Sequence, residues 1–75
     1  MIPPPYARFI KELESSLTGC PPGLITMDLR FRDQPWWDSL ATLTLLAVFD
    51  ETFGKPLSVT DLMECKTIGD VCRRA

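Results

Sequence analysis

Ser39 carries the one hydroxyl whose surroundings suggest chemistry. It lies in the run Trp36-Trp37-Asp38-Ser39-Leu40, directly ahead of a long apolar stretch, in a chain of 75 residues that contains no histidine. A serine that attacks a substrate unaided needs a neighbouring base to take its proton, and histidine is the usual one. The residue types therefore argue against a self-sufficient hydrolase, with no catalytic set to name, and for a serine that another enzyme modifies. Asp38 makes a good N-cap, so Ser39 is expected as the first residue of a helix. That position adjoins unpaired backbone N–H groups and the positive end of the helix dipole. A phosphate ester is stabilised there, and a long flexible group beyond it would project into solvent.

The remaining reactive residue types point to packing. Cys20, Cys65 and Cys72 form no C-x-x-C pair, and without histidine they give little support to a metal site or a disulfide framework. Cys65 and Cys72, seven apart, would share a face of a continuous helix, but Thr67 and Gly69 between them suggest a break. All three are expected to be reduced packing residues.

Composition narrows the class further. With 45% hydrophobic and 24% charged residues the chain lies in the ordinary globular range, and its longest apolar run, Leu45 to Phe49, is far too short to cross a bilayer. No membrane insertion is expected. Met1-Ile2-Pro3-Pro4-Pro5 lacks the basic and apolar regions of a secretory signal, which leaves a cytoplasmic location as the expectation. Charge is uneven along the chain: residues 33–64 hold one basic and six acidic groups, around the serine of interest. That acidity disfavours nucleic acid as a partner and favours a protein with an arginine or lysine patch.

The elements that must position Ser39 are all helical. Tyr6, Phe9, Ile10, Leu13 and Leu17 recur at three-and-four spacing and predict an amphipathic helix over 6–17, stopped by Thr18-Gly19 and then by Pro21-Pro22-Gly23. The irregular apolar residues from Cys20 to Trp37 predict a long ordered loop pinned to the core. A second helix is expected over 39–53, ended by Gly54 with Pro56 beyond. A short third over 60–64 follows Ser58, which with Asp61 resembles a capping box, and a fourth over 67–74 opens on Thr67 and Asp70. Arg73 and Arg74 then suit its carbonyl end.

On the second helix, Leu45, Leu46, Phe49 and Phe53 share an arc of roughly 100° and are expected to face the core. Leu40, Leu43 and Ala47 lie nearly opposite, interleaved with Thr44 and Glu51. So small a bundle cannot easily bury both sides, so an exposed apolar stripe flanked by Asp38, Asp50 and Glu51 is expected as a docking surface. Two adjacent tryptophans cannot easily both point inward, so one of Trp36 and Trp37 is expected buried and the other partly exposed.

Asp38-Ser39-Leu40, followed by Leu43, the Leu45-Leu46 pair, Asp50-Glu51 and Phe53-Gly54, closely resembles the attachment helix of acyl carrier proteins. In that family the serine of an Asp-Ser-Leu motif receives 4′-phosphopantetheine from coenzyme A. The resemblance covers most of the chain, since the first helix, the loop with Phe31-Arg32-Asp33, the Trp37-Asp38-Ser39-Leu40 run, the Phe-Gly stop and a last short helix occur in the family's order. Its form looks most like discrete, free-standing carriers that serve dedicated pathways, in secondary metabolism or specialised lipid, polyketide or fatty acid biosynthesis.

The resemblance implies an all-α fold, a small four-helix bundle of acyl-carrier type with a long loop between helices 1 and 2 and a short third helix, forming one carrier domain over 1–75. It implies a monomeric, non-catalytic chain that holds acyl groups as thioesters on a phosphopantetheine arm at Ser39. The implied partners are a phosphopantetheinyl transferase, which supplies base and magnesium, and acyl-loading and acyl-processing enzymes of ligase, acyltransferase or ketosynthase type. They would read Asp38, Leu40, Leu43, Thr44, Ala47, Asp50 and Glu51, with Trp37 beside the arm's exit. Ala41 and Thr44 stand where the family is commonly acidic, which points away from general fatty-acid synthase enzymes. A peptidyl or aminoacyl carrier usually shows Gly-Gly-x-Ser before its serine, which this chain lacks, and is the alternative within the class. An unmodified helical adaptor, with Ser39 a plain helix-start residue, is the alternative outside it.

Overall fold

Two prolines begin the first helix and a third caps it. In the computed structural model, which describes residues 3–17, 19–21 and 23–75, α1 spans Pro4–Ser16 with Pro3 at its cap. The first-turn N–H groups of a helix have no intrahelical acceptor, so Pro4 and Pro5 sacrifice nothing there, and Tyr6 and Ala7 both donate to the Pro3 carbonyl. The expected start at residue 6 is thus two residues late. α1 ends one residue short of expectation, at an extended Leu17; Thr18 and Pro22, part of the expected stop signal, lie outside the described residues.

The next elements are a single turn of 3-10 helix, Phe31–Asp33, then α2 over Ser39–Phe53, α3 over Val59–Glu64 and α4 over Ile68–Cys72. The architecture is all-α, with four α-helices and no strand among the described residues, as expected. None of these helices is long and apolar enough to cross a membrane. α2 stops where the sequence places the stop: Gly54 takes the left-handed conformation (φ 71°) that favours glycine, and its N–H donates to the Asp50 carbonyl at 2.8 Å.

The core gathers Phe9 and Leu13 of α1, Phe31 of the loop, Leu45 and Phe49 of α2, Leu62 of α3, and Ile68, Val71 and Cys72 of α4. α1 packs along α2 through a cluster of rings, with Phe9 5.9 Å from Phe49 and 5.4 Å from Phe53 between centroids. The buried face of α2 is Ala41, Leu45, Val48 and Phe49, while Leu46 and Phe53 are only half-buried. The helix is therefore rolled by roughly 60° from the face that leucine and phenylalanine spacing alone selects.

The loop is held by groups far along the chain. The backbone N–H groups of Ile68 and Gly69 donate to the carbonyls of Leu29 (3.0 Å) and Met27 (2.8 Å), so the loop accepts from the N-terminal turn of α4. A Cβ at Gly69 would stand 3.0 Å from the Met27 oxygen, which is why the smallest residue occupies that position. The Arg32 guanidinium donates to the Met63 carbonyl (2.9 Å) and to the Cys65 carbonyl, satisfying acceptors that the end of α3 leaves open. Arg32→Ala strips those acceptors of a charged donor and should lower stability by about 1–2 kcal/mol, visible as a lower urea midpoint with an unchanged m-value.

α3 begins one residue before the expected 60, and α4 is shorter than the expected 67–74, because Thr67 is its cap and Arg73 already lies past its end; both are capped as their sequences suggest, with one difference. The Ser58 hydroxyl accepts from the Asp61 N–H at 3.0 Å, but the Asp61 carboxylate turns to Arg74 (3.5 Å), so only half of the expected box is made. Thr67 and Asp70 make the full reciprocal box, with the Asp70 carboxylate also accepting from the Lys66 N–H at 3.0 Å. The backbone donors of Lys66 and Thr67 hold the Asp70 carboxyl below the usual aspartate range. Arg73 pairs with Asp70 and Arg74 with Glu64 as well as Asp61. The break between Cys65 and Cys72 is real, and both cysteines are fully buried packing residues, while Cys20 is half-buried.

Candidate functional site

The cap chemistry of α2 sets where Ser39 stands. Asp38, in extended conformation, accepts the Ala41 N–H on its Oδ1 at 2.8 Å, and its carbonyl takes the Thr42 N–H at 3.0 Å. This fixes Ser39 as the first residue of the helix, and its side chain lies exposed. A fifteen-residue helix places the full positive end of its dipole behind that hydroxyl. An anion bonded to the Ser39 oxygen would meet backbone donors rather than carboxylates pointing outward, since the one adjacent carboxylate, Asp38, is engaged with the helix itself.

The face of α2 that begins at Ser39 stays uncovered. Leu40 and Leu43 are 64% and 63% exposed, so most of each large apolar side chain is left uncovered by its own fold. Ala47, Asp50 and Glu51 are exposed on the same helix, and Thr44 is half-buried. Asp50 and Glu51 lie three turns from Ser39, about 17 Å along the helix axis, so an acidic group stands at each end of the apolar stripe. The loop leaves these leucines largely uncovered: Phe31 is fully buried, Trp37 packs on it, and Trp36 packs on Trp37.

The tryptophan pair departs from expectation. Neither ring is fully buried, and both are half-buried, because Trp37 meets Phe31 edge-on at 4.9 Å and Trp36 meets Trp37 at 6.2 Å and 68°, each covering part of the next. Trp37 is therefore tied to the core through Phe31 as well as standing next to the cap. Trp36, with Leu17, Asp38, Leu40, Ala41 and Thr44, lines a cavity of about 230 Å³ between the end of α1 and the first turns of α2. The Trp36 indole N–H is closed off from solvent and has no hydrogen-bond partner.

Sequence reasoning named neither this cavity nor a second exposed apolar pair, Val59 (54%) and Met63 (60%) on α3. The pair could have been found from its spacing, four residues apart and flanking the buried Leu62. The cavity could not, since its walls come from α1, the loop and α2.

A family model described as a phosphopantetheine attachment site matches residues 8–75, which takes in every helix described above apart from the opening turn of α1. No curated protein and no solved structure matches the chain.

Proposed function

We propose, since this chain belongs to the phosphopantetheine attachment family of carrier domains, which bear covalently attached 4′-phosphopantetheine, that its arm is esterified to Ser39 and that it carries acyl groups. The observation that carries the assignment is the placement of Ser39: an exposed hydroxyl at the first position of α2, beside a cap that leaves the helix terminus free to face a phosphate. The Ser39 oxygen forms the new bond to the phosphorus that bears the pantetheine arm, and the phosphoanhydride of coenzyme A breaks. The leaving group is adenosine 3′,5′-bisphosphate, and the serine proton passes to a base of the transferase. The chain's own contribution is an accessible oxygen held rigidly at a terminus that favours the resulting anion. Once attached, the arm supplies a terminal thiol on which acyl groups are held as thioesters.

Asp38-Ser39-Leu40 preceded by two tryptophans, rather than by a glycine pair, supports an acyl over an aminoacyl cargo. The partner enzymes, the transferase and the acyl-loading and acyl-processing enzymes, would read Leu40, Leu43 and Ala47 for affinity and Asp38, Asp50 and Glu51 for orientation, with Thr44 and Trp37 at the margin. Intact mass and fragmentation of the chain recovered from its own cells reads both claims at once. A phosphopantetheine ester on Ser39 carrying an acyl thioester is the expected result. An aminoacyl thioester overturns the cargo, and an unmodified Ser39 in cells with an active transferase overturns the function.

Leu43→Glu should change stability by no more than about 0.5 kcal/mol, because the side chain touches little of its own fold. It should nevertheless lower kcat/KM for arm transfer or for acyl loading roughly tenfold, the loss of about 1.4 kcal/mol of docking. Unchanged rates with both enzyme types would remove the stripe from the docking surface.

The chain's own thiols are quiet. Burial pushes the Cys72 thiol up to about 11, and burial likewise raises Cys65 and, with help from the nearby Glu14 charge, Cys20. At pH 8 only about one Cys72 in a thousand is thiolate, the form that reacts. Alkylation of the arm-bearing chain at pH 8 should therefore reach the tethered thiol first, Cys20 more slowly, and Cys65 and Cys72 only after denaturation. Peptide mapping of a time course checks the order.

A further inference from the structure

The cavity between the end of α1 and the first turns of α2 combines apolar walls with two sources of negative charge. Leu17, Leu40 and Ala41 are apolar, and the one polar atom of the Trp36 side chain is closed off from solvent, so that side chain offers the cavity only carbon. The first negative source is Asp38, which lines the cavity and uses Oδ1 to accept the Ala41 N–H; no ion pair reaches its carboxylate among the described residues. The second is the carbonyl end of α1, brought to the cavity by Ser16 and Leu17. That helix has thirteen residues and no basic group in its last turn, so its end favours a cation that the chain itself does not supply. The positive end of α2 lies close by, but the Asp38 Oδ1 bond already answers it. No residue of the lining is basic.

We propose that this cavity receives one arginine side chain of an enzyme docked on α2. Its volume of about 230 Å³ suits a single long side chain and not a stretch of backbone. Leu40 belongs both to the cavity wall and to the exposed stripe, so a partner seated on Leu40 and Leu43 has its own surface at the cavity's edge. The six acidic groups against one basic group in residues 33–64 draw a cationic partner to the same region. Arginine matches the lining in each part: its methylene stem lies against Leu17, Leu40 and Ala41, and its planar guanidinium has Asp38 and the Ser16 and Thr44 hydroxyls as acceptors. An ammonium is a compact, strongly hydrated charge and would give up more water at an apolar wall. A purely apolar anchor would leave the carboxylate and the helix end unanswered. A stripe on one helix lets a partner slide and roll, and an anchor held to its side adds the second fixed point.

The proposal rests on the docking role given to α2 above, and its test separates the two. ¹⁵N-labelled chain without the arm is titrated with N-acetyl-arginine N-methylamide and, separately, with the lysine and norleucine analogues. The expected result is a saturable shift of the Leu17, Ala41 and Thr44 amide signals with the arginine probe and a weaker response to the other two. Asp38→Asn, which still caps α2, should weaken arginine binding about threefold, the worth of one partly exposed ion pair. Ser16→Arg places the chain's own guanidinium at the cavity from an exposed position and should abolish the response. It should also lower kcat/KM for arm transfer or acyl loading by enzymes from the chain's own cells. Ser15→Arg adds the same charge at an exposed position outside the lining and should leave both rates as they were. An arginine response no stronger than that of lysine or norleucine, or one that survives Ser16→Arg, overturns the proposal. So do Ser16→Arg rates equal to those of Ser15→Arg. Because the titration uses the chain without its arm, these failures leave the arm at Ser39 standing, and an absence of added mass on Ser39 would sink that assignment without touching the titration.

Discussion

Ser39→Ala should fold as the unaltered chain does and gain no mass when incubated with coenzyme A and a broad-specificity phosphopantetheinyl transferase. The fold should survive because the Ser39 side chain is exposed and the cap that starts α2 belongs to Asp38, whose bond to the Ala41 N–H is untouched by the substitution. Alanine is also the best helix former, so the change in stability should stay within about 0.5 kcal/mol. The loss of attachment should be complete rather than partial, since the oxygen removed is the atom proposed to accept the arm. Intact mass spectrometry with a parallel far-UV circular dichroism spectrum reads both halves. A folded Ser39→Ala chain that still gained the phosphopantetheine mass would move the attachment to another hydroxyl and remove the central assignment.

What was legible in the sequence was the chemistry that acts within one turn of chain. Asp38 as cap, Gly54 as stop and the Thr67–Asp70 box each involve residues no more than a few positions apart, so their roles follow from residue type and spacing. The position of Ser39 belongs to this class, and so does the exposed stripe of Leu40, Leu43 and Ala47, since one helix carries it. The roll of α2 did not follow from spacing, because this helix is apolar on most sides and several arcs could have faced inward. Packing against the other elements, including Phe9 of α1 on Phe49, leaves Ala41, Leu45, Val48 and Phe49 as the buried face. The 3-10 turn at Phe31–Asp33 was equally hidden: the Arg32 side chain within it bonds to carbonyls at Met63 and Cys65, more than thirty residues away. The tryptophan pair was misread for the same reason, since mutual shielding of two rings on Phe31 is a tertiary arrangement.

Phe49→Ala should leave the chain largely unfolded and, for that reason alone, a poor substrate for arm attachment. Phe49 is wholly shielded from solvent and stands between Phe9 at 5.9 Å and Phe53 at 4.8 Å, the rings through which α1 and α2 meet. Truncating a buried phenylalanine costs roughly 3–5 kcal/mol, from lost transfer energy and the cavity left behind. A core in a chain this small supplies a net stability of only about the same size, roughly 3–5 kcal/mol. The two quantities meet, so the folded fraction should fall to a minority, read as a loss of helical circular dichroism at 25 °C and a flattened urea transition. Leu43→Ala, a comparable deletion on the same helix, should shift stability by no more than about 0.5 kcal/mol because its side chain is already in water. The contrast makes the two routes to lost attachment separable. Ser39→Ala removes the proposed accepting oxygen from an intact helix terminus, whereas Phe49→Ala keeps that oxygen and dissolves the terminus that presents it. Adding a stabilising osmolyte should restore attachment to Phe49→Ala in step with its helical signal and do nothing for Ser39→Ala. Attachment to Phe49→Ala that stayed at the original rate without helical signal would mean that the transferase reads the local tripeptide and not the folded helix.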